Sequence, residues 1–408
     1  MGRTNPLKPL DDALAELLAH AQPLPDHERV DTLMADGRVL AQEVISALHV
    51  PPQDNSAMDG YAVRCADVQS TGTVLPISQR LTAGSAGSAL ASGTTARIFT
   101  GAPVPAGADA IVLQEDCTSL PEGTVQCHTI PVPGQWIRRA GEDIARGTVV
   151  LAAGTRMTPA ALGLAASVGL ADLLVVRRPR VALFSTGDEL VMPGEIAPDA
   201  MPVGAIYNSN RFFLRALLQR LGCEVTDLGT VADQREATLA LLQEASAHHD
   251  LILSSGGVSV GEEDHVKPAV EALGRLDLWQ IAIKPGKPFA YGRVGAAHFI
   301  GLPGNPVSSL ITFAVLVRPF LLRLQGVHAV APHASLARAD FACPHPDQRR
   351  EFLRVRRNAS GGLDLFPNQS SGVLTSMLWG DGLVDKAAGQ PIAFGDTVRF
   401  LPFSELLV

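Results

Sequence analysis

The chain has 408 residues, of which 46% are hydrophobic and 18% charged, and its formal net charge is -8. At roughly 150 residues per domain this length predicts about two to three domains, each with its own core. The acidic total and the absence of a long Lys/Arg run argue against nucleic-acid binding, because proteins that track phosphate backbones need a basic field. The five cysteines include no CxxC pair, so neither a disulfide framework nor a thiolate zinc site is expected.

The first residues, MGRTNPLKPLDDALAELL, lack the apolar core and the small-residue cleavage site of a signal peptide. The longest interior apolar stretch, around Leu310 to Val317, is far shorter than the roughly 20 residues that cross a bilayer. We therefore expect a cytoplasmic protein that makes no membrane contact.

The first two hundred residues begin with helical patterns and continue with short strands. Leucines at helical spacing from Leu10 to Leu18 predict one helix, and Thr32 to Leu40 is expected to form another. Short β-branched runs separated by glycine then predict a small all-β module. Its strands are expected at Val74 to Ile77, Thr95 to Phe99, Ala110 to Leu113, Gly123 to His128 and Thr148 to Leu151.

From Val181 onward strands and helices alternate, which predicts a mostly parallel open sheet with helices on both faces. After Gly326 short strands return and predict a small β-barrel or sandwich. The expected strands of the open sheet are Val181 to Ser185, Glu224 to Leu228, Leu251 to Ser254, Leu278 to Ile283 and His298 to Gly301; the expected helices are Asn210 to Leu221, Gln234 to Ala247, His265 to Leu273 and Pro306 to Leu324.

Three loops with unusual content follow predicted parallel strands, where the ligands of open α/β sheets bind. They contain Ser185 to Glu189, Ser254 to Ser259, and Lys284 to Pro288. The Ser-Ser-Gly-Gly turn offers backbone N–H groups that suit a phosphate or another oxyanion, although a Gly-Gly pair also fits an ordinary strand-to-helix turn. Two lysines held in a rigid Pro-Gly-Pro frame make anion binding the better interpretation.

Acidic residues share this predicted rim, namely Glu189, Asp233 and Asp264. Carboxylates beside a bound phosphate would repel it, and Mg²⁺ resolves the conflict by bridging one or two carboxylates to phosphate oxygens. The alternative is that these acids are solvated loop residues or helix caps.

Two features outside the α/β region remain open. Ser56 to Ala62 reads as an exposed tight loop, with an acid flanked by small residues. Strand alternation would place Arg354 and Arg356 on one face, as an oxyanion clamp or as a solvated edge.

The strings SAMDGYA, TGAPVP, AGEDI, STGDEL, SNR, SSGGVSVGEEDHVKP, IKPGKPF and GLPGNPVS occur in this order. Together they resemble the molybdopterin molybdenumtransferases, MoeA and the gephyrin E domain, over nearly the whole chain. Some relatives carry basic residues where this chain has Ala140 and Gln280.

The resemblance implies an elongated, multidomain chain of class α/β plus β that forms a homodimer, with each active site built between two subunits. The implied domains are 1–50 with 140–178 for linking and dimerisation, 51–139 as a small β domain, 179–326 as an open α/β sheet domain that binds molybdopterin and resembles adenylyltransferases, and 327–408 as a C-terminal β-barrel. Molybdate is inserted into adenylylated molybdopterin, AMP is released with the help of Mg²⁺ or Zn²⁺, and molybdenum cofactor results.

The resemblance also carries site residues over to this sequence. The catalytic set is Asp59, Thr100, Arg138, Asp143, Glu189, Asp264, Lys284 and Lys287. Residues expected to bind molybdate or the substrate are Ser255, Gly256, Gly257, Ser259, Pro288, Ser308, Arg354 and Ser371. The metal is expected at Glu189, Asp233 and Asp264.

Two other functions fit parts of the sequence. The α/β region alone would serve a molybdopterin adenylyltransferase, and gephyrin-like chains also act as non-catalytic scaffolds. For the transferase we expect small-molecule substrates, transient contact with proteins of molybdopterin synthesis and cofactor delivery, and no nucleic-acid or membrane partner.

Overall fold

A computed structural model describes residues 7–232, 234–258 and 265–407. Its solvent-accessible surface is 19579 Å², whereas a compact monomer of 42.9 kDa would expose about 15,000 Å². The additional surface agrees with a chain that is divided among several sheets.

The small β sheet has six strands and contains a strand that the sequence did not reveal. Gly60–Val63 lies between two neighbours and is fully buried, and Ser56 belongs to another strand, so only residues 57–59 of the segment predicted as an exposed loop lie outside strands. Gly60 is required here because a Cβ would lie 2.1 Å from the carbonyl oxygen of Val112. The order across the sheet is Ala110–Leu113, Gly60–Val63, Thr95–Ile98, Thr73–Leu81, Thr124–Cys127 and Cys117–Leu120.

The segments on either side of this sheet pair with each other in two-stranded ladders. His27–Asp31 pairs with Asp172–Val176, and Val44–Ile45 pairs with Val149–Leu151. Val149–Leu151 was expected to belong to the small β module, and that expectation is wrong. The helix predicted from Thr32 to Leu40 is also wrong, because only Thr32–Met34 forms a single 3₁₀ turn. The remaining elements here are Asn55–Ser56 paired with Ile137–Arg138, and helix Pro159–Ser167.

The α/β sheet is mostly parallel, as predicted, with an antiparallel strand near one edge. That strand, Pro288–Val294, was not predicted, and it separates Ala297–Leu302 from Gly274–Gln280. The segment predicted as one strand from Leu278 to Ile283 is divided, because Ile283–Lys284 leaves the sheet. The order is Glu224–Val231, Arg180–Thr186, Leu251–Ser255, Ala297–Leu302, Pro288–Val294 and Gly274–Gln280.

Helices cover both faces of this sheet. Leu10, Ala13 and Leu17 are buried and pack the first helix into the same core as Leu217 and Leu321. The helices are Leu10–His20, Asn210–Arg220, Arg235–His248, Val266–Leu273 and Pro306–Leu324, and Leu190–Val191 pairs with Ile206–Tyr207 beside them.

The helix Pro306–Leu324 is the longest apolar element that the structure describes. A π-helical segment, Phe313–Val317, interrupts its α-helical geometry. By length and composition alone it would suffice to cross a membrane, but 89% of its 18-residue apolar stretch is buried within the protein. Burial of this kind is typical of a core helix. The chain continues from this helix into the C-terminal sheet.

One strand of the C-terminal sheet comes from the α/β region of the chain. Ile283–Lys284 pairs in parallel with Arg350–Arg357, and Phe352 joins the core of the α/β sheet. The order is Ile283–Lys284, Arg350–Arg357, Gly382–Lys386, Thr397–Pro402 and Ser335–Arg338; Leu363–Leu365 pairs with Arg350–Arg357, and helices Thr375–Trp379 and Phe403–Leu406 complete the region.

Candidate functional site

A cleft of about 790 Å³ lies at the carboxyl ends of two parallel strands of the α/β sheet. The strands Arg180–Thr186 and Leu251–Ser255 end at its wall, and the long helix begins there at Pro306. The sequence-predicted site residues that line it are Glu189, Ser255, Gly256, Gly257, Pro288 and Ser308. We call this the sheet-end cleft.

The turn after Leu251–Ser255 can be built only with glycine. Gly256 and Gly257 have φ values of +91° and +70°, a region that other residues rarely adopt. A Cβ on Gly256 would lie 2.6 Å from the carbonyl oxygen of Thr186, and one on Gly257 would lie 2.4 Å from Cγ2 of Val266. The main chain itself therefore forms this wall of the sheet-end cleft.

Asn210 fixes the opposite side of the turn. Its side chain is 7% exposed, and its Nδ2 donates to Ser255 Oγ at 2.9 Å and to the Gly304 carbonyl oxygen at 2.7 Å. The Asn210 side chain thus joins the helix Asn210–Arg220 to two separate loops, one that contains Ser255 and one that contains Gly304. This arrangement holds the cleft walls at a fixed spacing.

The N-terminus of the long helix opens on the cleft. Ser308 lies in its first turn and lines the cleft, and the N–H of Val307 donates to the Ser371 carbonyl oxygen at 3.0 Å. Helix N-termini carry partial positive charge and free N–H donors, which favour an anion. Ser371 itself does not line the cleft, but its neighbour Gly372 does.

The basic residues predicted for this site lie elsewhere. Within the described part of the chain, Glu189 is the one charged residue that lines the cleft. Lys284 Nζ lies 2.8 Å from Glu351 Oε1 and 3.3 Å from Asp347 Oδ2, and the hydrogen bond that Lys284 donates to Glu351 raises the pKa of Lys284. Lys284 is turned toward these acids because its strand pairs with Arg350–Arg357.

Lys287 is exposed, and no ion pair to it occurs among the residues that the structure describes. It immediately precedes Pro288, which lines the cleft. The two lysines of the Pro-Gly-Pro frame therefore have different surroundings. The expectation that both face one anion is not met for Lys284 in this conformation.

Arg354 is fully buried, with 0% of its surface exposed. Its guanidinium donates to Ser376 Oγ at 3.1 Å and to the carbonyl oxygens of Ser370 at 3.1 Å and Phe352 at 3.4 Å. No carboxylate pairs with it in the described ranges, and burial lowers its pKa to about 10. The solvated-edge interpretation fails for Arg354 but fits Arg356, which is exposed and stacks on Trp379 at 4.4 Å.

Asp59 and Thr100 meet in the small β sheet. The backbone N–H and the hydroxyl of Thr100 both donate to Asp59 Oδ1 at 2.8 Å, and the first of these bonds contributes most to lowering the Asp59 pKa. Arg138 and Asp143 are both exposed. None of the four lines the sheet-end cleft.

Three predicted residues, Asp233, Ser259 and Asp264, lie outside the described residues. In the described ranges no group of three or more His, Cys, Asp or Glu side chains could hold a metal ion. Glu189 is thus the described member of the predicted metal set. Its carboxylate folds back over Gly187, where a Cβ would lie 2.5 Å from Glu189 Oε2.

Sequence reasoning from the residues missed Asn210 and the loop from Pro303 to Asn305 as parts of the site. Both belong to strings that carry the family resemblance, SNR and GLPGNPVS. Their polar, glycine-containing composition just before a predicted helix was the available signal. The contact between them, however, joins residues almost a hundred positions apart.

Comparison with known proteins agrees with this architecture. The MoeA N-terminal region (domain I and II) matches residues 8–169, a probable molybdopterin binding domain matches residues 182–323, and the MoeA C-terminal region (domain IV) matches residues 337–403.

Individual relatives match over almost their full length. The molybdopterin molybdenumtransferase of Haemophilus influenzae is 38% identical over 98% of this chain and 99% of its own. Molybdopterin molybdenumtransferase 2 of Mycobacterium tuberculosis is 37% identical over 91% of this chain and 93% of its own. The crystal structure of the molybdopterin biosynthesis moeA protein from Pyrococcus horikoshii superposes with a TM-score of 0.85 at 26% identity, covering 97% of this chain and all of that one (100%). The chain therefore belongs to the MoeA family, whose curated relatives are named molybdopterin molybdenumtransferases.

Proposed function

We propose that this chain inserts molybdate into adenylylated molybdopterin, releasing AMP and forming molybdenum cofactor. The observation that carries the proposal is the sheet-end cleft, where a glycine turn and a helix N-terminus converge at the carboxyl ends of parallel strands. Such an edge is where open α/β sheets bind nucleotides and other phosphorylated ligands. The names of the curated relatives supply the specific reaction.

The phosphates of the substrate would lie against the main chain of the cleft. Gly256 and Gly257 permit close approach of backbone N–H groups, and Ser308 adds a hydroxyl at the helix N-terminus. Ser255 and Pro288 would complete this wall. The donors are held by Asn210 before the substrate arrives, so little ordering is needed on binding.

Molybdate would be held on the side of the C-terminal sheet. Arg354 is a buried cation bonded to neutral groups, and the loop containing Ser370 and Ser371 connects its guanidinium to the start of the long helix. A doubly charged oxyanion is the partner that this charge lacks. We propose that Lys287 binds the same anion. Lys284, which pairs with Glu351 and Asp347, would supply a second positive charge.

The proposed divalent cation, Mg²⁺ or Zn²⁺, would be bound at Glu189, together with Asp233 and Asp264. One exposed carboxylate beside a polar cleft fits Mg²⁺, which keeps several waters and takes few protein ligands. Bound there, the ion would neutralise phosphate charge on the departing AMP. Glu189 would itself keep the ion at the rim, because its carboxylate is folded over Gly187.

Asp59, Thr100, Arg138 and Asp143 would act on the cleft of a second subunit in a homodimer. Exposed apolar side chains in the linking region support such an assembly, including Leu33 at 88% and Met34 at 73% exposure. We further propose the four-domain division, a cytoplasmic location, and transient contacts with proteins of molybdopterin synthesis and cofactor delivery.

The test is a reaction with purified components. Protein, adenylylated molybdopterin and Mg²⁺ are mixed with and without molybdate, and AMP and molybdenum cofactor are quantified. The proposal predicts molybdate-dependent AMP release in proportion to the cofactor formed. Absence of AMP release in a properly folded preparation would contradict it.

The same components separate the alternative functions. Consumption of ATP with free molybdopterin would identify an adenylyltransferase instead. Retention of a stoichiometric protein partner by a preparation that turns over neither substrate would identify a scaffold.

A further inference from the structure

Two arginines of the small β sheet lie directly opposite each other. Arg80 and Arg97 are register partners on the parallel strands Thr73–Leu81 and Thr95–Ile98. Like charges in this position destabilise a sheet. Neither guanidinium forms an ion pair with any carboxylate in the described ranges.

Aromatic rings and neutral acceptors hold the two cations in place. Both guanidinium carbons lie 4.6 Å from the centre of the Phe99 ring, and that of Arg97 lies 5.0 Å from the centre of the Tyr61 ring. Arg97 also donates from Nη1 to the Gly60 carbonyl oxygen at 2.9 Å and from Nη2 to a side-chain oxygen of Gln114. These contacts fix the positions of the charges without neutralising them.

The paired arginines line a cleft of about 530 Å³ that is separate from the sheet-end cleft. Hydroxyl groups border the same space, because Tyr61 and Ser119 contribute oxygens that lie 3.2 Å apart. Guanidinium and hydroxyl donors around one space match the oxygens of a phosphate. The volume leaves room for a small organic group attached to that phosphate.

Other arginines of this chain show how the fold neutralises such charges. Arg275 and Arg293 are also register partners, but Asp277 lies 2.6 Å from Arg275. Arg356 also stacks on an aromatic ring, and it faces Asp364 across its ladder. No carboxylate contacts the Arg80–Arg97 pair directly in the described ranges, and Asp59, whose pKa Arg97 helps to lower, acts on it only at longer range. A bound anion would supply a counter-charge in direct contact with both guanidinium groups.

We propose that the Arg80–Arg97 cleft binds the phosphate dianion of a small phosphorylated molecule. The proposal does not depend on the transferase function assigned to the sheet-end cleft. Binding places one dianion between two fixed cations. The dianion offsets the repulsion between the two guanidinium groups, and the guanidinium groups donate hydrogen bonds to its oxygens.

Isothermal titration calorimetry with inorganic phosphate and with glycerol 3-phosphate tests this site. Arg80→Gln and Arg97→Gln are each expected to weaken binding by roughly tenfold or more, because each removes a charge-assisted interaction. Arg356→Gln is the matched control, since it removes an exposed, aromatic-stacked arginine that faces an acid; its affinity is expected to be unchanged. Tighter binding of glycerol 3-phosphate identifies an organic phosphate as the ligand, and equal binding identifies the free ion.

Arg80→Gln keeps the test independent of folding. The side chain of Arg80 makes no hydrogen bond in the described structure, whereas that of Arg97 donates to Gly60, so thermal unfolding should be unchanged in the first variant. The proposal is overturned if neither ligand binds the native protein. It is equally overturned if both ligands bind and neither Arg80→Gln nor Arg97→Gln changes the affinity.

Discussion

Replacing Arg354 with methionine removes a charge from a position that water does not reach. Arg354 is 0% exposed and pairs with no carboxylate in the described ranges. Methionine keeps most of the length of the side chain, so the cavity left behind is small. If the cation serves the ligand rather than the fold, this change should abolish activity and lower stability only modestly.

The expected change in stability follows from two opposing contributions. Burial lowers the pKa of Arg354 to about 10, and the difference from the ordinary value corresponds to about 3 kcal/mol of cost in keeping it charged. The variant recovers this cost but loses three hydrogen bonds from a charged group to neutral acceptors, each worth about 1.5 kcal/mol at the lower end of the range for such bonds. The free energy of unfolding should therefore fall by no more than about 2 kcal/mol.

Urea unfolding measures the stability, and molybdate-dependent AMP release measures the activity. Activity should fall by about a hundredfold or more, the effect of removing a buried group that binds a developing or bound anion. The control is Arg318→Met, which removes another buried arginine whose pKa is lowered by burial but which contacts Val330 instead of the cleft region. The reasoning is refuted if Arg354→Met loses several kcal/mol of stability yet keeps full activity per folded molecule.

Three further changes test other parts of the structure. Burial lowers the pKa of His298 to about 4, so as the pH falls the unfolded chain binds a proton at this histidine before the folded protein does. The free energy of unfolding should therefore fall by about 3 kcal/mol from this group between about pH 6.5 and pH 4. In acid titrations the His298→Gln variant should show a shallower loss of stability. Gly257→Ala should lose roughly 2–4 kcal/mol in urea unfolding, against about 1 kcal/mol for Gly84→Ala, because Gly84 shares the positive φ but has open space around it; equal losses would exclude the close contact as the cause. Lys287→Ala should abolish cofactor formation with an unchanged melting temperature, since its side chain is exposed, and retained activity would remove Lys287 from the site.

The pattern of hydrophobic residues predicted those elements in which consecutive residues have similar surroundings. Strands such as Leu251–Ser255, buried on both faces, appear as continuous apolar runs, and the Ser-Ser-Gly-Gly turn carries its own conformational requirement in its glycines. Both are local properties of the chain. The prediction of the sheet-end cleft depended mainly on them.

Long-range pairing decided the features that were missed. Ile283–Lys284 joins the C-terminal sheet through partners more than sixty residues away, and this pairing turns Lys284 toward Glu351. Strand alternation placed Arg354 and Arg356 on one face but gave no sign that Arg354 is buried while Arg356 is exposed. Gly60–Val63 was hidden because its glycine and small residues suit a turn as well as a tightly packed central strand.

The central claim is that the sheet-end cleft binds the adenylylated substrate and molybdate. A crystal structure of the protein soaked with AMP and molybdate tests it most directly. We predict phosphate density between the Ser255–Gly257 turn and Ser308, with molybdate density toward Arg354. Density for both ligands at other positions, with the sheet-end cleft empty, would contradict the account.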